Sequence, residues 1–245
     1  MNIKQLVSYI LLLLSVNLFA QKKITKGEIN YEVMMQIDEG KLREMSEKKN
    51  ESSYAKSQVV SIFKNQKKST YELIFNNFES IYRIKKELNI SEGKLNLVRI
   101  LAGKGTFYTN KKEMLIENQK NAFGELFLIE LPKGDWVLTN EEKKIGKYKC
   151  YKAITERKGV NKRGEFVNKT IAWYTPELPI NFGPKDYYGL PGLILELKEG
   201  NVVYRATKIS IMSKEKIKVE KPTKGKKITL NNYNKMIKEL VEQKY

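Results

Sequence analysis

The chain has 245 residues, 46 Lys and Arg against 28 Asp and Glu, a net charge of +18, one cysteine and no histidine. Without histidine there is no Ser-His or Cys-His relay and little scope for zinc, copper or iron sites, and a lone cysteine excludes internal disulfides and thiolate clusters. The positive charge is nearly all lysine, dispersed in pairs such as Lys48-Lys49, Lys67-Lys68 and Lys226-Lys227, with little arginine. That describes a solvated surface with long-range attraction to anionic partners, not a nucleic-acid reader.

In chain order, the first element is MNIKQLVSYILLLLSVNLFA, one basic residue followed by an apolar run from Leu6 to Phe19. The run is too short for a bilayer crossing and leads directly into a polar segment, so it reads as a secretory signal peptide over 1–20, cut after Ala20. No cysteine stands at 21, which argues against a lipid anchor. Residues 21–245 then read as one domain, long enough to bury a core without covalent staples and with no further transmembrane segment. The expected location is the periplasm, the outer membrane or the exterior.

Period-two alternation dominates the chain beyond residue 26. Ile29, Tyr31, Val33, Met35 and Ile37 alternate, as do Tyr71, Leu73 and Phe75, with a turn signal at Asn76-Asn77 before Ile81–Ile84. Residues 55–63 and 233–241 instead carry apolar residues at helical spacing, the second through Tyr233, Met236, Ile237, Leu240 and Val241 with Thr229 as N-cap. Further strands are expected at 106–109, 114–118, 125–130, 136–139, 148–156, 166–174, 193–198 and 202–211. Glu199-Gly200-Asn201 is the turn of a closing hairpin. Residues 38–50 are charged and read as a loop or exposed helix, and 214–227 as a lysine-rich linker. Successive hairpins predict an antiparallel sheet, and Cys150 is expected as a small buried residue on a strand.

Few motifs carry chemistry. Gly103-Lys104-Gly105-Thr106 lacks the upstream glycine of a phosphate loop and enters a strand. The triplets beginning at Asn50, Asn89 and Asn168 are too short to assign a role. Neither metal nor cofactor is expected. A hydrolase using two carboxylates is compatible with the composition; Asp135 and Asp186, beside aromatics, are its best-placed acids, though each also suits a turn cap. The distinctive stretch is AWYTPELPINFGPKDYYGLPGLILEL, residues 172–197. Pro191 presets one turn position and Gly192 is expected to supply the positive φ of a type II turn, while Leu193–Leu195 enter a buried strand. Trp173, Tyr174, Phe182, Tyr187 and Tyr188 gather on this excursion. They suit a lid plugging the core and, secondly, a ligand- or partner-binding edge.

These residues resemble the GLPGLI family, exported proteins common in Bacteroidetes and named for the six residues at Gly189, Leu190, Pro191, Gly192, Leu193 and Ile194. The likeness extends to Gly27-x-Ile29-x-Tyr31-Glu32, Tyr71-x-Leu73-x-Phe75-Asn76, Trp136-x-Leu138-Thr139, Ile145-Gly146-x-Tyr148-x-Cys150-x-Lys152-Ala153 and Ala172-Trp173-Tyr174-Thr175 through Gly183-Pro184 to Tyr188. The resemblance brings no catalytic residues and no established activity. It implies a mainly β, α+β fold: a strongly curved antiparallel sheet or half-barrel with a packed C-terminal helix, similar to LolA-type periplasmic lipoprotein carriers and to bowl-like accessory domains of secreted hydrolases. It also implies an envelope accessory role beside TonB-dependent outer-membrane receptors. The expectation is a non-enzymatic protein that binds an apolar ligand or an outer-membrane partner, set against a carboxylate-dependent hydrolase of glycan or peptide and a purely structural interaction module.

Overall fold

A computed structural model of the chain describes residues 26–36, 40, 68–85, 96–161, 164–211 and 218–242. The expected signal peptide, most of the charged segment 38–50 and the helical stripe at 55–63 lie outside the described residues. The described elements are β1 (Gly27–Met35), β2 (Ser69–Phe75), β3 (Glu79–Ile84), α1 (Leu97–Leu101), β4 (Thr106–Asn110), β5 (Leu115–Ala122) and β6 (Glu125–Glu130). They continue with β7 (Val137–Ile145), β8 (Tyr148–Asn161), β9 (Gly164–Thr175), β10 (Leu193–Glu199), β11 (Val202–Ile211), β12 (Lys226–Thr229) and α2 (Leu230–Glu242).

Among the described residues, all strands join one twelve-stranded sheet in the order β12-β6-β5-β4-β3-β2-β1-β11-β10-β9-β8-β7. Chain geometry forces this sheet to roll. β6 and β7 stand second and twelfth, ten inter-strand steps apart (12 − 2), which in a flat sheet is about 48 Å. The chain nevertheless passes from Glu130 to Val137 in seven Cα steps (137 − 130), which reach at most about 25 Å. The sheet ends are therefore drawn together into an open half-barrel, the strongly curved mainly β fold expected from the sequence.

Alternation sets the inner face. Ile29, Tyr31 and Val33 of β1 face inward, beside Tyr71, Leu73 and Phe75 of β2, Tyr82 of β3, Phe107 of β4 and Tyr204 of β11, all buried in one cluster. Tyr71 and Tyr82 stack at 5.3 Å, and the Tyr31 hydroxyl donates to the Ile194 carbonyl at 2.7 Å. Burying each large apolar side chain of this kind contributes roughly 1.5–3 kcal/mol. Cys150 is fully buried on β8, the small buried strand residue that was expected.

The turns follow local chemistry. Asn76 Oδ1 accepts from the backbone of Phe78 and Glu79, closing β2 onto β3. Gly200 takes φ 57° in the tight β10–β11 turn, where Glu199 faces Val202. The C-terminal helix packs Tyr233, Met236 and Ile237 on Phe127 and Ile129 of β6. Thr229 Oγ1 accepts from the Asn232 N–H at 3.3 Å, the expected cap.

Three features depart from the expectation. Residues 226–229 are a strand, not the end of a linker. Placed parallel to β6, they are the one exception to antiparallel pairing among the described strands. A run of KKIT has no alternation to announce it; the free edge of β6 recruits it, and Gly225 permits the approach, since a Cβ there would lie 3.0 Å from the Leu126 carbonyl oxygen. β7 continues to Ile145 across Asn140 and the charged residues 141–144, because it is an edge strand that regains register with β8 through a bulge between Leu138 and Glu142. α1 was unannounced: five residues are too few for a periodic signal, and its cap, Asn96 accepting from Arg99 N at 3.1 Å, stabilises it.

Candidate functional site

The excursion between β9 and β10 lies on the concave face. Pro176 ends β9, and the chain returns on itself through backbone bonds from Ile180 N to Leu178 O and from Leu193 N to Leu178 O. The Asn181 side chain donates to the Leu190 carbonyl at 2.9 Å, and Gly189 N donates to Asn181 O at 2.8 Å. Leu178, Ile180, Phe182, Tyr187, Tyr188 and Leu190 are all buried against the sheet.

The glycines of this segment correct one expectation. Gly192 does not have a left-handed φ; Gly189 does, at 96°. Gly192 is required by space, because a Cβ there would sit 2.1 Å from the Thr175 carbonyl oxygen and 2.9 Å from the Pro176 nitrogen. Gly183 is similarly crowded, 2.5 Å from Ile194 Cδ1. The GLPGLI hexapeptide therefore marks a close backbone approach, where the chain enters β10 against the end of β9 and Leu193 pairs with Thr175. Pro191-Gly192 is not held by type II turn chemistry.

Of the five aromatic residues singled out in the sequence, the structure brings four to the core side. Tyr174 packs near Tyr151 at 6.2 Å, Phe182 near Phe75 at 6.3 Å and Tyr187 near Trp136 at 5.9 Å, while Tyr188 accepts the Trp136 indole N–H on its carbonyl at 3.0 Å. Trp173 points the other way, as alternation requires. It lies half-buried under the Lys143 ammonium at 4.4 Å, and Lys143 in turn bonds Glu196 at 2.6 Å.

Beneath the loop lies a buried polar network that sequence reasoning did not find. Glu199, inward-facing at the end of β10, accepts from Lys185 Nζ at 2.6 Å on Oε2 and from the Tyr187 hydroxyl at 2.9 Å on Oε1. A carboxylate only accepts, so Tyr187 donates to it and receives Thr170 Oγ1 at 3.1 Å. The single Tyr204 proton lies between the Ala102 carbonyl at 3.2 Å and Glu199 at 3.4 Å. Arg157 pairs with Asp186 at 2.7 Å and stacks its guanidinium 4.2 Å over the Tyr187 ring. Two cations thus meet two carboxylates.

Burial alone would raise the Glu199 carboxyl, but Lys185, the Tyr187 hydroxyl and Arg157 outweigh it and hold the group below the usual carboxylate range. Burial pushes the Tyr187 and Tyr204 phenols far above theirs, with Glu199 adding to the effect. For Arg157 burial works against the charge, and Asp186, with Tyr187 and Glu199, more than restores it. The network keeps charges fixed and phenols protonated, and every acid in it is already bonded. Its chemistry is that of an anchor, fastening the 185–187 stretch to β8, β9 and β10. One signal could have flagged it: an acid on the otherwise apolar inward face of β10, Leu197 followed two residues later by Glu199. Asp135, the other acid beside an aromatic, is exposed.

No metal-binding group of three or more acid, cysteine or histidine side chains occurs among the described residues. No helix among them is long and apolar enough to cross a membrane. The sequence pattern of a family described as "Protein of unknown function (Porph_ging)" matches residues 161–196, from the β8–β9 turn through the excursion into β10. No curated protein matches the chain. Two crystal structures of PNGF-II, solved in different space groups, are similar in shape at a TM-score of 0.48 each, with 19% and 18% identity. Each similarity covers 88% of this chain but 33% of the PNGF-II chain, so this protein spans about a third of their length.

Proposed function

We propose that the chain is a GLPGLI-type protein of the bacterial envelope, exported to the periplasm, the outer membrane or beyond. In this reading it acts without catalysis of its own, by holding an envelope partner, for which a TonB-dependent outer-membrane receptor is the favoured class. One observation carries it. The concave face, where a half-barrel would hold a substrate or an apolar ligand, is packed by the chain's own 178–190 loop, and the polar groups beneath are consumed in pairing with one another. A two-carboxylate hydrolase needs one acid kept protonated, whereas Glu199 is held ionised and Asp186 is bonded to Arg157. An apolar ligand on the concave face would first have to displace Phe182, Tyr187 and Tyr188. The outer surface and the free edge of β7 remain for contact.

The test is cross-linking of the tagged protein in the intact envelope of its own host, followed by mass spectrometry of the cross-linked peptides. The expected result is one reproducible outer-membrane partner joined through the outer face or β7. Hydrolysis of a peptidoglycan or peptide substrate by the purified chain, abolished in Glu199→Gln with the melting temperature unchanged, would overturn the proposal.

A further inference from the structure

The exposed apolar side chains are not spread evenly. Nine large ones are exposed among the described residues, and six belong to one end of the half-barrel: Ile100, Leu101, Phe123, Val137, Leu138 and Val167. Strand direction fixes that placement. β3 ends and β4 begins at this end with α1 between them, the β5–β6 turn lies there, and β7 begins there. β8 and β9 run past it as a hairpin arm, since β10 leaves β9 at Thr170 and β7 leaves β8 at Ile154. Because the sheet rolls, Phe123 beside β6 and Val137 on β7 border the same mouth. The opposite end has Phe78, Met114 and Ile211, of which Phe78 is covered by the Lys112 ammonium at 3.9 Å.

Two local features show that this is more than scattered surface apolarity. α1 sinks Val98 and Ala102 into the core and turns Ile100 and Leu101 outward, 45% and 50% exposed. Phe123 stands at the tip of the β5–β6 turn, 61% exposed, with φ 53° and Gly124 following at φ 81°. That backbone favours Asn or Gly at the first position, and a bulky aromatic in left-handed geometry is disfavoured. Neither folding nor solubility explains a phenylalanine there.

Charge names the partner. The chain carries +18, and at this mouth Lys104 lies close enough to act electrostatically on Lys120, whose ammonium sits 5.5 Å over the Tyr233 ring, while Lys185 is spent on Glu199. Exposed carboxylates of Glu125 and Glu156 share this end, so attraction comes from the molecule's whole field rather than from a purely basic patch. Apolar side chains at a rim, lysines with long stems behind them and an overall cationic field match an anionic lipid surface.

We propose that this end of the half-barrel seats on an anionic bilayer surface, with Ile100, Leu101 and Phe123 entering the headgroup boundary. The seat shares the start of β7 with the surface left for the envelope partner protein, but it is tested on vesicles without that partner, so its failure and the failure of that reading are distinguishable. The chain from Gln21 onward, without the apolar run at 6–19, is sedimented with vesicles of phosphatidylcholine alone and of phosphatidylcholine mixed with phosphatidylglycerol. Partition onto the mixed vesicles alone, weakened by high salt, is expected. Leu101→Ser and Phe123→Asn should each lower partition by about three- to tenfold, while Met114→Ser at the other end leaves it unchanged. Phe123→Asn suits the turn, so its melting temperature should hold or rise, which separates lost docking from lost folding. Failure to partition, equal partition onto both vesicles, or partition that ignores the Leu101 and Phe123 changes would overturn the proposal.

Discussion

The Lys185–Glu199 pair offers the sharpest test of how the concave face is held. Their side chains are 13% and 15% exposed and 2.6 Å apart, so removing one partner leaves the other charge largely desolvated. Breaking a buried pair costs about 3–5 kcal/mol. Lys185 retains enough exposure for its ammonium to reach water along its flexible stem, which places Glu199→Leu near the lower bound, about 3 kcal/mol. Loss of the Tyr187 hydroxyl's acceptor adds about 1 kcal/mol. For a chain of this size each kcal/mol shifts Tm by about 2–4 °C, so a fall of roughly 8–16 °C is expected. Lys185→Met should cost less, because Glu199 keeps the Tyr187 donor. The double variant should be markedly milder than the sum of the singles, with a coupling of about 2 kcal/mol, since two apolar side chains replace a matched pair. Urea unfolding followed by tryptophan fluorescence is the assay, with Trp136, bonded to the Tyr188 carbonyl, reporting on the loop. A cost below about 1 kcal/mol for Glu199→Leu, or strict additivity in the double variant, would refute the anchoring argument.

The same structure sets three more expectations. Gly192→Ala places a Cβ 2.1 Å from the Thr175 carbonyl and should exceed the usual overpacking cost of about 1–3 kcal/mol. Gly189→Ala meets only the flexible end of Lys133 at 3.6 Å and should cost about 1–2 kcal/mol for its left-handed backbone; thermal melts that reverse this order would contradict the close approach at Gly192. Glu199 and Glu196 are both held below the usual carboxylate range. The unfolded chain therefore binds their protons first: their contribution is complete above about pH 4.3 and lost as pH falls through the lower folded values. Urea midpoints measured across that window should drop, and drop less in Glu199→Gln. Cys150 is fully buried, and burial pushes its thiol up. It should resist a water-soluble disulfide reagent in the native protein and react at once in denaturant; rapid native labelling would mean that β8 opens readily.

Much of the fold was legible in the chain because its strands alternate faithfully. Tyr31, Leu73 and Tyr204 could be assigned to an inner face from spacing alone, and the Thr229 cap with the Tyr233–Ile237 stripe announced the last helix. What escaped was whatever depends on a neighbour. β12 exists because β6 has a free edge, β7 extends because β8 lies beside it, and α1 is too short to carry a period. The aromatic loop was visible as a cluster. Its burial was decided by the roll of the sheet, whereas the separation of Trp173 from Tyr174 follows from strand alternation alone.

Composition by itself determined the chemistry open to this protein. With no histidine and one cysteine, imidazole relays, internal disulfides and thiolate clusters are closed to it. Local pattern determined the strands, and the hexapeptide at 189–194 marked a place where the backbone has special needs. Only the tertiary structure decided what those needs are. Gly192 is glycine because another strand's carbonyl lies where its side chain would be, a fact about residue 175 that no local rule contains. Likewise Glu199 is held below the usual carboxylate range because the fold brings Lys185, Tyr187 and Arg157 around it, and electrostatic environment is a property of neighbours in space.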